Sequence, residues 1–328
     1  MKKILVLIVA LICLSSVAYG GVLDIFKKKG DNKSKKIKIA VIVKGTEHVY
    51  WQTVKKGVED AASDLDVDYY FIAAPGGEPD INGQVDLVEA AIAQRVDGMV
   101  LAASDSNALV RPIKKAMKAG IPVVLIDSGV ETDKYSSFIA TNNIETSYKV
   151  GDALGKLLNG KGKVGVVNFQ PGAGTAIERE QGFRNVMKEK YPGIELLETK
   201  YSYADKQKAL SITEDLVTAH NDLDAIYAAN EPTLVGVGRG IKEKGLKDKV
   251  LVAGFDSSDD VLKLLNEGIV KVTAVQMPYS MGYKGIKSVV KALKGEKIEK
   301  LVDSGAVIVT PENMSTPESQ KALFPLKK

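Results

Sequence analysis

The 328-residue sequence predicts an α/β protein of two Rossmann-like parallel-sheet domains, and three observations lead there. Apolar strand-like runs alternate with amphipathic helical stretches from Ile37 onward, the signature of parallel sheets built from right-handed crossovers. The runs are apolar on consecutive positions, as in Val250-Leu251-Val252-Ala253-Gly254-Phe255, so these strands are covered on both faces. The alternation also starts afresh near Asn143, with a repeat of architecture and no close sequence repeat, and the length suits two domains.

In the first half, Ile37–Val43 reads as a strand. Trp51–Leu65 reads as a helix with an apolar stripe at Val54, Val58, Ala61, Ala62 and Leu65, three to four residues apart. Tyr69–Ala73 is a strand, Pro75–Pro79 a loop rich in Pro and Gly, Ile81–Gln94 a helix and Asp97–Ala102 a strand. Ser104-Asp105-Ser106 opens a helix over Ala108–Ala119, and Gly120 closes it. Strands follow at Ile121–Ile126, ending at Asp127, and at Phe138–Thr141.

In the second half, Asn143–Leu158 is a helix and Gly160–Gly162 a turn before the strand Lys163–Asn168. The loop Pro171-Gly172-Ala173-Gly174 precedes a helix to Lys190. Thr175-Ala176-Ile177-Glu178 has the spacing of a capping box for that helix. Ile194–Tyr201 reads as one strand, Asp205–Thr218 as a helix, Asp224–Ala228 as a strand and Glu231–Glu243 as a helix. After Val250–Phe255, the cluster Ser257-Ser258-Asp259-Asp260 opens another helix.

Residues 1–20 fall outside this pattern. Lys2 and Lys3 precede the apolar run Ile4–Ile12, and small residues follow at Ser15, Ser16, Ala18 and Gly20. Positive start, short apolar middle and small-residue end describe a secretory signal peptide, cut after Ala18 or Gly20, with a core too short for a good membrane span. Cys13 raises a lipoprotein alternative, which Ile12 in front of it disfavours. Cys13 is the only cysteine, so a processed chain has no disulfide and no thiol chemistry. Residues 21–35, rich in lysine, read as a flexible basic leader. With 45 Lys and Arg against 41 Asp and Glu, the charge balance is too even to argue for nucleic acid or an acidic membrane surface.

Polar side chains sit where strands end. They are Asp127, Thr141-Asn142, Asn230-Glu231, Asp256, and Gln276 after Val272–Val275. In an open α/β sheet, ligands bind past the carboxyl ends of strands, so five such positions suggest two rims facing a polar cleft. A carboxylate such as Asp256 accepts hydrogen bonds and donates none, which suits a ligand rich in hydroxyls; helix capping is the competing reading. His48, Tyr50 and Trp51 follow the first strand, and Arg179 lies in the first turn after the glycine loop.

These residues carry a resemblance. Val123–Asp127, Ile139–Asn143, Gly174–Phe183, Ile226–Glu231, Val252–Asp256 and Val275–Pro278 resemble, in order and spacing, motifs of the type I periplasmic sugar-binding proteins of ABC transporters, related to LacI-type ligand cores. The resemblance spans about Lys36–Lys328. It implies two α/β domains joined by a three-segment hinge, closing on a sugar. Crossings would fall near Thr141, Val275-Gln276 and Ser304-Gly305. The N-terminal domain would be 36–141 plus 277–304, and the C-terminal domain 142–276 plus 305–328. The resemblance implies ligand contacts from His48, Tyr50, Trp51, Asp127, Thr141, Asn142, Arg179, Tyr203, Asn230, Asp256 and Gln276. Charged and amide groups would bond hydroxyls while aromatic rings cover C–H faces. It implies a monosaccharide or similar polyol as ligand and an ABC permease as partner, with no cofactor, no metal, no nucleic acid and a monomeric, periplasmic protein.

Each residue has a plainer alternative. Arg179 could pair with Glu178 or Glu180 on a helix surface, Tyr50 and Trp51 could staple the first helix, Asn142 could only cap, and His48 could be an ordinary loop residue. Tyr203 lies near an aromatic position of relatives, across a local length difference. Ser128 follows Asp127 where pentose-binding relatives often carry Arg, which puts ribose itself in doubt. The same pocket would serve a sensory protein read by a chemoreceptor or sensor kinase, or hold a non-sugar ligand. An enzyme is disfavoured: the sequence shows no P-loop, no Gly-x-Gly-x-x-Gly after the first strand and no Gly-x-Ser-x-Gly elbow, and it has two histidines. A DNA-binding helix-turn-helix would have to stand where the signal peptide stands.

Overall fold

The computed structural model describes residues 36–326. The signal peptide expected over 1–20 and the leader over 21–35 lie outside the described residues. The first half contains β1 (Lys38–Val43), α1 (Val49–Leu65), β2 (Asp68–Ala73), α2 (Ile81–Ala93), β3 (Gly98–Leu101), α3 (Val110–Lys118), β4 (Val123–Ile126) and β5 (Ser137–Ala140). Then come α4 (Asn143–Leu157), β6 (Lys161–Asn168), α5 (Gly174–Lys190), β7 (Gly193–Leu196), β8 (Lys200–Tyr201), α6 (Lys206–Ala219), β9 (Ala225–Ala228), α7 (Glu231–Glu243), β10 (Leu251–Phe255), α8 (Asp259–Asn266) and β11 (Val270–Gln276). The chain ends with α9 (Pro278–Leu293), β12 (Leu301–Asp303), β13 (Ala306–Val309) and α10 (Pro317–Leu323).

Two sheets result. The first has the order β12-β5-β4-β3-β1-β2 and is parallel throughout. The second runs β13-β11-β10-β9-β6-β7, with β8 also on β6; β13 alone is antiparallel, against β11. The chain passes between sheets after β5, after β11 and after β12.

Both faces of each sheet are buried, as the unbroken apolar runs require. In β1, Ile39, Val41 and Val43 face one core with α1 and α9, while Ala40 and Ile42 face another with α2 and α3. The second sheet likewise separates two apolar clusters. Helix α9 follows a strand of the second sheet yet packs on the first, through Met281, Ile286 and Val289 against the α1 residues Val54 and Val58.

Three expectations need revision. The segment read as one strand, Ile194–Tyr201, is two short strands, both paired to β6. The helix expected from Ala108 starts at Val110, because Asp105 Oδ1 takes the Asn107 and Ala108 N–H groups in a turn. The capping box at Thr175–Glu178 does not form: the N-cap of α5 is Ala173, without a side-chain bond. Thr175 Oγ1 accepts instead from Lys44 Nζ at 3.2 Å, and Glu178 turns to Asn143 at 3.1 Å.

Contact between α1 and α9 relies on two glycines. A Cβ at Gly57 would lie 2.1 Å from the Tyr279 carbonyl oxygen, and one at Gly282 would lie 2.2 Å from that of Val54. Gly57→Ala and Gly282→Ala are each expected to lower stability by about 1–3 kcal/mol through overpacking, read from urea unfolding; wild-type midpoints would show that the helices do not approach this closely.

Candidate functional site

The site is built from corresponding ends of two strands. Asp127 follows β4 in the first sheet and Asp256 follows β10 in the second. Both have left-handed backbone, with φ of 61° and 74°. Each gives its N–H to the next strand over, Asp127 to Ile139 O at 3.0 Å and Asp256 to Ala274 O at 2.7 Å. Left-handed backbone is costly for most side chains and least so for Asp and Asn. One local device therefore presents a carboxylate from each lobe to the same cleft, and both residues line it.

On the first-lobe side, Tyr50 Oη donates to Asp127 Oδ1 at 2.8 Å. Lys44 Nζ lies 2.7 Å from Asp127 Oδ2, with both side chains almost fully buried. Burial, then the neighbouring Asp127 charge, holds the Tyr50 hydroxyl well above the usual tyrosine range, so it remains a donor. Trp51 packs edge-on against Tyr50 with ring centres 5.0 Å apart and donates from Nε1 to Glu78 at 3.2 Å.

On the second-lobe side, Asp256 accepts from Gln276 Nε2 at 2.7 Å and from the Glu231 N–H at 3.2 Å. Arg179 Nη1 stands 4.0 Å from its Oδ2, and the guanidinium lies 4.2 Å from the centre of the Phe255 ring. Arg179 is fixed by Asn143 Oδ1 at 2.8 Å and Ala229 O at 2.7 Å. It is a buried, tied cation and no surface arginine. Burial raises the Asp256 carboxyl above its ordinary range, because removal from water outweighs the neighbouring Arg179 and the hydrogen bonds it receives. Gln276 Oε1 is buried with no hydrogen-bond partner, and Gln276 lines the cleft.

Asn230 caps α7 with its oxygen on the Thr233 N–H and also lines the cleft, together with His48, Trp51 and Phe169. The lobes meet along one rim. Ser106 N–H donates to Gly172 O at 2.9 Å, Gln170 Nε2 to Ser104 O at 3.1 Å, and Thr175 N–H to Ser128 Oγ at 3.3 Å. Gly172 permits this approach, since a Cβ there would fall 2.0 Å from Asp105 Oδ2. With this rim joined, the inner cleft retains about 30 Å³, room for water only, so a larger ligand enters only when the lobes part.

Of the eleven residues expected at the site, seven line this cleft: His48, Tyr50, Trp51, Asp127, Asn230, Asp256 and Gln276. Arg179 is not among the lining residues and stands 4.0 Å from Asp256 Oδ2. The other three lie elsewhere. Thr141 and Asn142 border a separate cavity at the crossings. There Thr141 Oγ1 donates to Gly305 O at 3.2 Å, and Asn142 caps α4, so the capping alternative describes it. Tyr203 lines an outer cavity and is 42% exposed.

Sequence reasoning missed Lys44, Gln84 and Phe169. Lys44 ends the first strand as a buried cation that touches both lobes, through Asp127 and Thr175. A lysine directly after an apolar strand was its only signal. Gln84, buried in α2, donates to Val43 O and Ala102 O and accepts from Ser104 N–H, so it fixes the ends of β1 and β3 at the rim. Among the described residues no group of three His, Cys, Asp or Glu side chains is placed to hold a metal ion.

Two α/β lobes, three crossings and a polar cleft lined from both sides define a hinged binding protein. The chain belongs to the periplasmic binding protein domain family, which it matches over residues 39–297. It is 27% identical to the ribose import binding protein of Bacillus subtilis over 85% of this chain and 88% of that one. It is 29% identical to the D-allose-binding periplasmic protein of Escherichia coli, over 83% and 91%. Among solved structures, a carbohydrate transporter solute-binding protein of Agrobacterium radiobacter in complex with D-arabinose superimposes with a TM-score of 0.85, 36% identity and coverage of 88% and 99%. An ABC transporter solute-binding protein of Agrobacterium vitis with bound D-fucose gives 0.83, 37%, and 88% and 100%.

A raised Asp256 carboxyl makes the fold pH-sensitive. The folded state holds this proton more tightly than the unfolded chain, so the group's contribution to stability falls as pH rises from the ordinary value near 3.8 through the raised folded value. Asp256→Asn is therefore expected to raise the unfolding temperature at pH 7, with the gain shrinking as pH falls through the raised folded value and vanishing below about 3.8. A lower unfolding temperature than wild type at pH 7 would show that the ionised carboxylate supports the fold.

Proposed function

We propose that this chain captures a monosaccharide or similar polyol between its two lobes and delivers it to an ABC permease from the periplasm, to which a cleaved signal peptide over 1–20 directs it. The observation that carries this reading is the pair of left-handed strand-end carboxylates, Asp127 and Asp256, one from each lobe. Each is a strong acceptor for hydroxyls, and neither lobe supplies both. The relatives that bind ribose, allose, arabinose or fucose lend the sugar class its support, and the import proteins among them favour transport over sensing.

In this reading the hydroxyl contacts come from Lys44, Asp127, Asn230, Asp256 and Gln276. Tyr50 and Arg179 position the two carboxylates, and Trp51 and Phe169 cover C–H faces of the ring. Lys44, which here joins Asp127 to Thr175, exchanges part of that pairing for ligand oxygens. The lobes are 36–141 plus 277–304 and 142–276 plus 305–328. They turn about the three crossings, of which two are tied together where Thr141 meets Ser304 and Gly305 and where Ser304 N–H meets Ala140 O. A ligand that bridges both lobes lowers the free energy of the closed state and leaves the open one unaffected, so it shifts the population.

A thermal-shift screen of residues 21–328 against pentoses, hexoses and polyols tests the class: a binding sugar at a hundredfold excess over Kd adds about 2.7 kcal/mol of stability, and a flat response to all of them contradicts a sugar ligand. With a binding sugar in hand, Asp127→Ala and Asp256→Ala are each expected to weaken affinity about 100-fold or more, from the loss of charge-assisted bonds worth roughly 1.5–3 kcal/mol each. Both variants are expected to retain the wild-type far-UV circular dichroism. Wild-type affinity in either variant would show that the ligand lies elsewhere.

A further inference from the structure

The rim opposite the joined one does not close. His48 and the loop Gly76–Pro79 on the first lobe face Ser202–Ser211 on the second across a cavity of about 840 Å³. Among the described residues no hydrogen bond or ion pair crosses this mouth, whereas three hydrogen bonds join the far rim. The outer cavity and the inner cleft share His48 and Glu78 in their walls, so the two adjoin.

The chemistry of the outer cavity is that of a sugar subsite. It offers one aromatic ring, Tyr203, and a surround of hydrogen-bonding groups: His48, Glu78, Gln207, Lys208 and Ser211. Lys208 Nζ lies 4.1 Å from the centre of the Tyr203 ring and occupies one face of it. Tyr203 and Ala204 both have left-handed backbone, φ 56° and 58°, in a turn whose ends are tied by Ser202 N–H to Asn168 O and Asp205 N–H to Ser202 O. Across the gap, Asp80 holds the glycine loop through the Gly76 and Gly83 N–H groups. Both walls are thus braced from within their own lobes and stand apart without touching.

We propose that the ligand is a glycoside: a first sugar ring held in the inner cleft and a second, glycosidically linked sugar ring in the outer cavity, set against Tyr203. This rests on the sugar-binding reading above and goes beyond it in assigning a second subsite. A sugar ring presents an apolar C–H face to an aromatic ring and hydroxyls around its edge, which matches a single tyrosine surrounded by polar groups. An 840 Å³ space lies within the range of small-molecule sites, about 300–1,000 Å³.

Isothermal titration of the full mature chain tests this with D-galactose, D-glucose and L-arabinose set beside lactose, melibiose, cellobiose, maltose and arabinobiose. At least one disaccharide is expected to bind about 10-fold or more tightly than its constituent monosaccharides, the affinity equivalent of about 1.4 kcal/mol. Tyr203→Ala is expected to remove that gain and leave monosaccharide affinity within about twofold, while Tyr203→Phe, which keeps the ring, retains it. Monosaccharide binding with no gain for any disaccharide overturns the second subsite and leaves the sugar-binding reading intact. An equal loss for both sugar sizes in Tyr203→Ala also overturns it. No binding of any sugar in the set by a chain that binds another monosaccharide in the thermal-shift screen overturns the second subsite alone, and a flat response in both experiments overturns both.

Discussion

Burial of charge at the junction of the two lobes governs this molecule. Lys44, Asp127, Arg179 and Asp256 are all nearly removed from water, where an unpaired charge is costly. Each is therefore held by fixed partners. Asp127 has Lys44 and the Tyr50 hydroxyl, Asp256 has Gln276 and the Glu231 N–H, and Arg179 has a carbonyl, an amide and the Phe255 ring. Such partners keep the charged groups at fixed directions, which lets a cleft discriminate among hydroxyl patterns: a ligand that fails to match leaves a buried polar group unpaired.

The two lobes solve the same problem with the same backbone device. A parallel sheet delivers every strand end to one edge, and a left-handed residue just past β4 or β10 turns the chain and projects its side chain over that edge. Lys44 then makes the arrangement asymmetric, since it reaches from the first lobe to Thr175 on the second. The joined rim and the open mouth are likewise asymmetric. Gly172 allows backbone contact on one side, while the turn at Tyr203 and the loop at Gly76 line an open cavity on the other.

Much of this was legible in the sequence, for identifiable reasons. Parallel strands covered on both faces appear as unbroken apolar runs, so β1, β3, β4, β9 and β10 were readable to within a residue or two. Polar residues at strand ends pointed to the cleft, and Asp127, Asn230, Glu231, Asp256 and Gln276 line it. What could not be read depended on which way a side chain turns. Thr175 and Glu178 have the spacing of a capping box, yet tertiary partners, Lys44 and Asn143, draw them away from it. Thr141 and Asn142 end a strand of the first sheet, but at the crossing they bond to Gly305 O and the Glu145 N–H and do not reach the cleft. Lys44 and Gln84 carried no periodic signal, because their roles arise from partners far away in the sequence.

The proposed capture mechanism requires a single sugar ring to be held at once by the carboxylate of Asp127 from one lobe and that of Asp256 from the other. A crystal structure of the chain with a monosaccharide shown to bind tests it most directly. Ring hydroxyls are expected within hydrogen-bond distance, about 2.5–3.0 Å, of both carboxylates in the same complex. A ring bonded to one of these aspartates alone, or seated outside the cleft that they line, would contradict it.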